Sequence, residues 1–262
     1  MMKNMFKTAI AASLLLAGTM GATFQANADE LDTIKSNGSM KIAMSGAYPP
    51  FNFVDEENNV VGFDPAIGKE IAKRMGVEAV IVTTAWDGIL AGLLANKYDA
   101  IVGSMSITEK RLEVVDFVGP YYRMSRAVFV KDDSTAKSLA DLKGKKIGAT
   151  LGETHEKWAR DKGDWEVRTY KGLPELLIEL DNGRLDAIVV DNIPVLLAIK
   201  KNGMALHQMD TPNIEGADDS AGIAVRKGNP KLVAAMQKAL DDMMADGTYT
   251  KIAEKWVGAD IR

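Results

Sequence analysis

The chain has 262 residues, 47% apolar and 26% charged, with a net charge of −4. Those values suit one large domain or two of ordinary size, and exclude a long disordered chain, a fibre and a polytopic membrane protein. The acidic balance offers no basic surface to nucleic acid or anionic lipid. The lack of cysteine removes disulfides, thiolate metal sites and cysteine nucleophiles, and two histidines, His155 and His207, are too few for a zinc site. No cofactor and no metal is expected.

In chain order, Lys3 and Lys7 precede an apolar stretch from Ala9 to Ala17, small residues and the tripeptide Ala26-Asn27-Ala28. A positive start, a short apolar run and A-x-A form the pattern of a cleaved secretory signal. The run is shorter than the roughly 20 residues a membrane helix requires. A signal peptide over 1–28 is expected to leave residues 29–262 in the periplasm with no membrane anchor, since no cysteine is present to carry a lipid.

Short apolar strands then alternate with helices, the pattern of an α/β fold. Lys41-Ile42-Ala43-Met44 reads as a strand that runs into Gly46 and the loop Tyr48-Pro49-Pro50-Phe51. Asp64, followed by Pro65, reads as the cap of a helix whose buried face is Ile67, Ile71 and Met75, with Gly76 as its stop. Val80-Ile81-Val82 is a strand, Ile89, Leu90, Leu93 and Leu94 line a helix, and Asp99-Ala100-Ile101-Val102 is a strand covered on both faces. The series then recurs. Strands are expected from Lys145 to Gly148, Val167 to Tyr170 and Asp186 to Val190, with helices from about Thr154 and from Pro174. Near the end, Asn229 and Pro230 open a helix with apolar Leu232, Val233, Met236, Leu240, Met243 and Met244, stopped by Gly247; a last short helix follows Thr248. Two similar units imply two similar lobes, each with a central, mostly parallel sheet flanked by helices.

In open α/β sheets ligands bind beyond the carboxyl ends of the strands. That rule alone selects Ser45 to Phe51, Gly103 to Arg111, Thr150 to His155, and Asp191.

At these residues the chain resembles the periplasmic amino-acid-binding proteins of ABC transporters, the two-lobed type II binding proteins of solute-binding family 3. The matching segments include Ala47-Tyr48-Pro49-Pro50-Phe51, Val61-Gly62-Phe63-Asp64, Trp86-Asp87-Gly88, Ser104-Met105-Ser106-Ile107-Thr108 with Arg111, Pro120-Tyr121-Tyr122, Gly183-Arg184-Leu185-Asp186 and Trp256-Val257-Gly258. The resemblance implies a Venus-flytrap architecture. Lobe one is expected over 29–120 and 226–262, lobe two over 126–220, and hinge crossings at 121–125 and 221–225. It implies as partners a free amino acid and an inner-membrane ABC permease, with no nucleic acid, for a monomeric protein that is not an enzyme.

An α-amino acid needs a cation for its carboxylate and an anion for its ammonium. Arginine can grip a carboxylate through two parallel N–H bonds, and the resemblance gives that role to Arg111, in the first turn of a helix after Thr108. It gives the ammonium to Asp191, hydrogen bonds to Gly103, Ser104 and Ser106, the carboxylate's other side to Thr154, and aromatic walls to Tyr48 and Trp86. His155 falls where relatives place a polar residue facing the ligand, although a histidine in a first helical turn is more often on the surface. Phe51 and Phe53 read as core. A basic ligand side chain lacks a partner at Ser45, so a polar neutral or cystine-like amino acid is favoured. Arg123 and Arg126 leave an acidic one open. The alternatives are a cyclohexadienyl-dehydratase-like periplasmic enzyme, with Glu153 as its acid, and a receptor's sensor domain.

Overall fold

The computed structural model of the protein describes residues 29–211, 214 and 218–262. The expected signal peptide lies outside the described residues. The chain runs through α1 (Glu30–Asn37), β1 (Ser39–Met44), β2 (Ala47–Tyr48), β3 (Asn52–Val54), β4 (Val60–Val61) and α2 (Phe63–Arg74). It continues with β5 (Glu78–Thr83), α3 (Trp86–Leu94), β6 (Ala100–Ser106), α4 (Glu109–Leu112) and the long β7 (Val115–Lys131). A 3-10 turn at Leu139–Leu142 leads to β8 (Lys146–Thr150), α5 (Thr154–Asp161), β9 (Glu166–Tyr170), α6 (Leu173–Asp181) and β10 (Ala187–Asp191). The rest is α7 (Asn192–Asn202), β11 (Leu206–Gln208), β12 (Asp218–Arg226), α8 (Pro230–Ala245) and α9 (Thr248–Trp256).

The large sheet has the order β5-β1-β6-β12-β7-β10-β8-β9, with β11 added beside β7; β2, β3 and β4 form a small sheet of their own. On the first side β1 lies parallel to β5 and β6, and on the second β8 lies parallel to β9 and β10. Between them β7 and β12 run antiparallel to their neighbours. Residues Val115–Ser125 of β7 pair with β12, and Arg126–Phe129 pair with β10. One continuous strand thus belongs to both lobes. Ala221, Ile223, Ala224 and Val225 pair with β7, and Ala221, Gly222, Ala224 and Val225 pair with β6.

Each half is a three-layer sandwich, which explains its apolar strands. Every residue of β6 is buried. Ile42 and Val102 cluster with Ile67 and Ile71 of α2 on one face, while Ala43 and Ile101 cluster with Ile89 and Leu93 of α3 on the other. The second half repeats the arrangement, with Ile188, Leu176 and Leu180 on the α6 side and Val189, Ile147 and Ala159 on the α5 side.

Four local expectations are corrected. The strand expected at 99–102 continues to Ser106, so Gly103 to Ser106 are strand and not loop. Leu94 is 46% exposed, because Ile89 and Leu93 already fill the face α3 turns to the sheet. Asp64 does not cap α2. The N-cap is Gly62, and Asp64 lies within the first turn with its carboxylate bonded inward to Asn52, Ser104 and Tyr121. Asn229 stands at the N-cap of α8 without capping it through its side chain. Instead Asp29 accepts from the Lys231 and Leu232 amides at 2.8 and 3.2 Å, and Asn229 accepts from the Glu30 amide at 2.9 Å, so the starts of α1 and α8 cap each other.

Candidate functional site

A narrow cleft lies where the carboxyl ends of β1, β6, β8 and β10 face one another. The first wall comes from lobe one: Tyr48 of β2, Trp86 at the start of α3, Gly103, Ser104 and Ser106 of β6, and Arg111 of α4. Arg111 Nη1 donates to the Ser106 carbonyl at 2.8 Å, and the guanidinium carbon sits 5.9 Å from the Trp86 ring centroid. Thr108 is the cap expected there, accepting from the Arg111 amide at 3.2 Å. The helix it opens has only four residues. It therefore supplies one turn of oriented amides and little of the expected helix-end field.

Ser104 holds the wall in an uncommon backbone conformation, φ +60°, that a residue with a Cβ adopts only when its surroundings enforce it. Here they do. Ser104 Oγ donates to Asp64 Oδ2 at 2.8 Å and its amide donates to the Tyr121 hydroxyl at 2.8 Å. That hydroxyl donates to Asp64 Oδ1 at 2.7 Å, and Asn52 Nδ2 donates to Oδ2 at 2.6 Å. Asn52 Oδ1 in turn accepts from the Ser45 hydroxyl and the Gly46 amide, at 2.9 and 2.8 Å. The network ties the loop after β1 to β6 through one buried carboxyl. Burial pushes Asp64 up from 3.8 to about 6, against the three hydrogen bonds, which pull it back.

The second wall comes from lobe two. Glu153, Thr154 and His155 stand at the start of α5, and Asp191 ends β10. The Tyr48 hydroxyl donates to Asp191 Oδ2, crossing from the first wall to the second. His155 Nε2 lies 3.1 Å from Asp191 Oδ1 but off the line of a hydrogen bond, which leaves this buried oxygen without a donor. Arg126 of β7 donates through Nε to His155 Nδ1 at 3.1 Å. Burial lifts Glu153 to about 7; Asp191 reinforces the rise while His155 and Arg111 oppose it. Burial pulls the His155 imidazole down, but the Asp191 charge and contact, with Glu153, outweigh it and the net shift is upward.

The walls also meet beside the cleft. A Cβ on Gly172 would stand 2.7 Å from the Ala47 carbonyl oxygen, and one on Gly152 would stand 2.9 Å from the Asp87 Cα. With the Tyr48–Asp191 bond, these approaches describe two lobes closed on each other.

All nine residues expected at the site line this one cleft: Tyr48, Trp86, Gly103, Ser104, Ser106, Arg111, Thr154, His155 and Asp191. Ser45 and Glu153 join them. Glu153 falls within the stretch Thr150 to His155 that the strand-end rule selects, although the only role offered for it was an enzyme's acid. No group of metal-ligating side chains is found among the described residues.

Two α/β halves sharing two strands, with a cleft whose walls carry opposite charges, define a two-lobed ligand-binding protein. The family model of the bacterial extracellular solute-binding proteins, family 3, matches residues 40–259, and the chain belongs to that family. The L-cystine-binding protein TcyJ of Escherichia coli K12 is 35% identical over 97% of both chains. ABC transporter arginine-binding protein 1 of the same organism is 37% identical over 93% of this chain and 98% of its own. Among solved structures, a mutant of ArgBP from T. maritima superposes with a TM-score of 0.81 at 35% identity, covering 87% of this chain and 99% of the other.

Proposed function

We propose that this protein captures a free L-amino acid between its lobes and delivers it to an ABC permease of the inner membrane. One observation carries the reading: the cleft sets the Arg111 guanidinium on one wall against Asp191 on the other, and buried Asp191 Oδ1 has no hydrogen bond of its own. A buried acceptor left without a donor costs roughly 1–3 kcal/mol, and an ammonium supplies the donor. Arg111 takes the α-carboxylate, helped by the amide of Thr154 at the opening of α5. Gly103, Ser104 and Ser106 line the space between, while Tyr48 and Trp86 flank the ligand's aliphatic part. His155 acts behind Asp191.

A polar neutral or cystine-like amino acid is the favoured ligand. The similarity to a cystine binder and to arginine binders supports an amino acid of that size. Closure occurs by bending at 121–125 and 221–225, between lobe one (29–120 and 226–262) and lobe two (126–220). The chain reaches the periplasm by cleavage after Ala28. Asp29, the residue after the proposed cleavage point, is fixed by its bonds to the starts of α1 and α8. The protein works as a monomer without a membrane anchor.

A thermal-shift screen over the twenty amino acids and L-cystine tests the reading, since a ligand that binds only the native state raises the melting temperature. One or a few related amino acids should do so, with a smaller radius of gyration by small-angle scattering at saturation. A chain that none of them stabilises would refute amino-acid capture.

A further inference from the structure

Asp191 is part of a buried chain of charges. Its cross-strand neighbour in β7 is Arg126, and His155 lies between them, 3.1 Å from each. Arg126, His155 and Asp191 are 8%, 3% and 6% exposed, so all three are built into the wall. The Trp158 ring, 5.5 Å from the Arg126 guanidinium carbon, backs the far end.

We propose that Arg126 and His155 are positioning residues for the carboxylate that receives the ligand's ammonium: Arg126 fixes the imidazole as its Nε2–H tautomer, and His155 in that neutral form steadies Asp191 without cancelling its charge, an assignment that rests on amino-acid capture at Asp191. The hydrogen-bond pattern allows one protonation form. Nδ1 must present its lone pair to the Arg126 N–H, so the single ring proton sits on Nε2, on the side of Asp191 Oδ1 but off the line of a hydrogen bond, which leaves that oxygen to the ligand's ammonium. A second ring proton would set N–H against a guanidinium N–H, and would place a cation on the carboxylate the ligand requires.

The groups facing the imidazole divide. Arg126 from β7 opposes its protonation, as burial does, whereas Asp191 from β10 and Glu153 from the turn before α5 favour it. Proton uptake by His155 and ammonium capture by Asp191 therefore compete. Affinity is highest where His155 is neutral. It falls as the pH drops through the raised His155 titration, by up to about tenfold per pH unit below it for one linked proton.

Calorimetry with L-arginine, L-glutamine and L-cystine from pH 8 to pH 5.5 provides the test, on the native protein, His155→Gln and Glu153→Gln. The native protein should lose tenfold or more in affinity over that range. The His155→Gln amide can accept from Arg126 and donate to Asp191 but cannot titrate, so that variant should lose the slope whatever its affinity at pH 8. Glu153→Gln should keep the slope. Nitrogen-detected NMR of the two histidines should show His155 as the Nε2–H tautomer at pH 8. A slope that survives in His155→Gln, a slope abolished by Glu153→Gln, or an Nδ1–H tautomer would each overturn the assignment. Should His155→Gln fail to fold, Arg126→Lys removes the planar Nε donor and should yield mixed tautomers; an unchanged single tautomer would refute the relay. A native protein that binds no amino acid at pH 8 would instead strike amino-acid capture itself, with the tautomer still judging the relay.

Discussion

Gly172→Ala separates closure from folding. Gly172 precedes α6 with φ −171°, an extended conformation open to any residue, so a methyl group there strains nothing within lobe two. Its obstacles are both on Ala47 of lobe one: the added Cβ would stand 2.7 Å from Ala47 Cβ and 2.7 Å from its carbonyl oxygen. Ordinary carbon contacts lie near 3.5–4.0 Å, so the overlap is close to an ångström, and it exists only while the lobes are together. Overpacking of that kind costs about 1–3 kcal/mol, which corresponds to a roughly 5- to 150-fold loss of affinity. The unliganded protein should not suffer. Removing a glycine's freedom from the unfolded chain stabilises by about 0.4–1 kcal/mol where the backbone is compatible, so its melting temperature should hold or rise slightly. Weaker binding with an undiminished melting temperature is the expected pair of results, read by calorimetry and by thermal melts without ligand. Adding Ala47→Gly, which removes one of the two obstacles, should restore part of the affinity. A Gly172→Ala protein that binds within twofold of the native would refute the closed contact. One that melts several degrees lower without ligand would show that the contact belongs to the fold itself.

The other substitutions address the two charged groups. Arg111→Lys replaces a planar fork with a point charge that cannot make two parallel bonds to a carboxylate; binding should fall by tenfold or more in calorimetry, and near-native affinity would remove Arg111 from the carboxylate role. Asp191→Asn keeps the shape and loses the charge, and an uncompensated buried charge costs on the order of 3–5 kcal/mol. The native protein should reject the Nα-acetylated form of its ligand and the variant should bind free and acetylated forms comparably poorly, whereas a native-like preference for the free amine would place the ammonium elsewhere.

Strand and helix order was legible because it is written locally, in apolar runs such as Ala100-Ile101-Val102 and Ala187-Ile188-Val189 and in the stops between them. The charged pair was legible because Arg111 and Asp191 follow strands whose ends any open α/β sheet turns to its cleft. What local rules mishandled were residues whose partners are remote. Asp64 before a proline is the same string whether it caps its helix or turns inward, and the bonds that decide the matter reach 40 residues to Ser104 and 57 to Tyr121. Asn229 lost its capping role to Asp29, 202 residues away from Lys231. Arg126 gave only a charge near the crossing; its contact with His155 depends on β7 lying antiparallel to β10, a pairing no sequence window contains.

The Asp64 carboxyl turns the same remote geometry into a pH test. Its rise from 3.8 to about 6, caused by burial and only partly offset by Tyr121, Asn52 and Ser104, corresponds to about 3 kcal/mol. The folded chain keeps the proton where the unfolded chain has lost it. The stability this group contributes therefore falls as the pH rises from about 4 to 6, and is level above that window. Glu153, lifted from 4.5 to about 7, acts in the same direction up to neutrality, but it is present in native protein and variant alike and drops out of their difference. Asp64→Asn has no proton to release there. Near pH 4 the amide should lie close to the native protein, because its oxygen can keep the bonds from Asn52 and Ser104 while its NH₂ faces the Tyr121 hydroxyl, which can turn to accept. By pH 6.5 the comparison should have moved toward the variant by roughly 1–3 kcal/mol, measured by denaturant melts of the unliganded protein at each pH. A difference that stays constant from pH 4 to 6.5 would mean that Asp64 ionises in the fold as it does in water. The left-handed turn at Ser104 would then owe its position to something other than a reluctantly charged carboxyl.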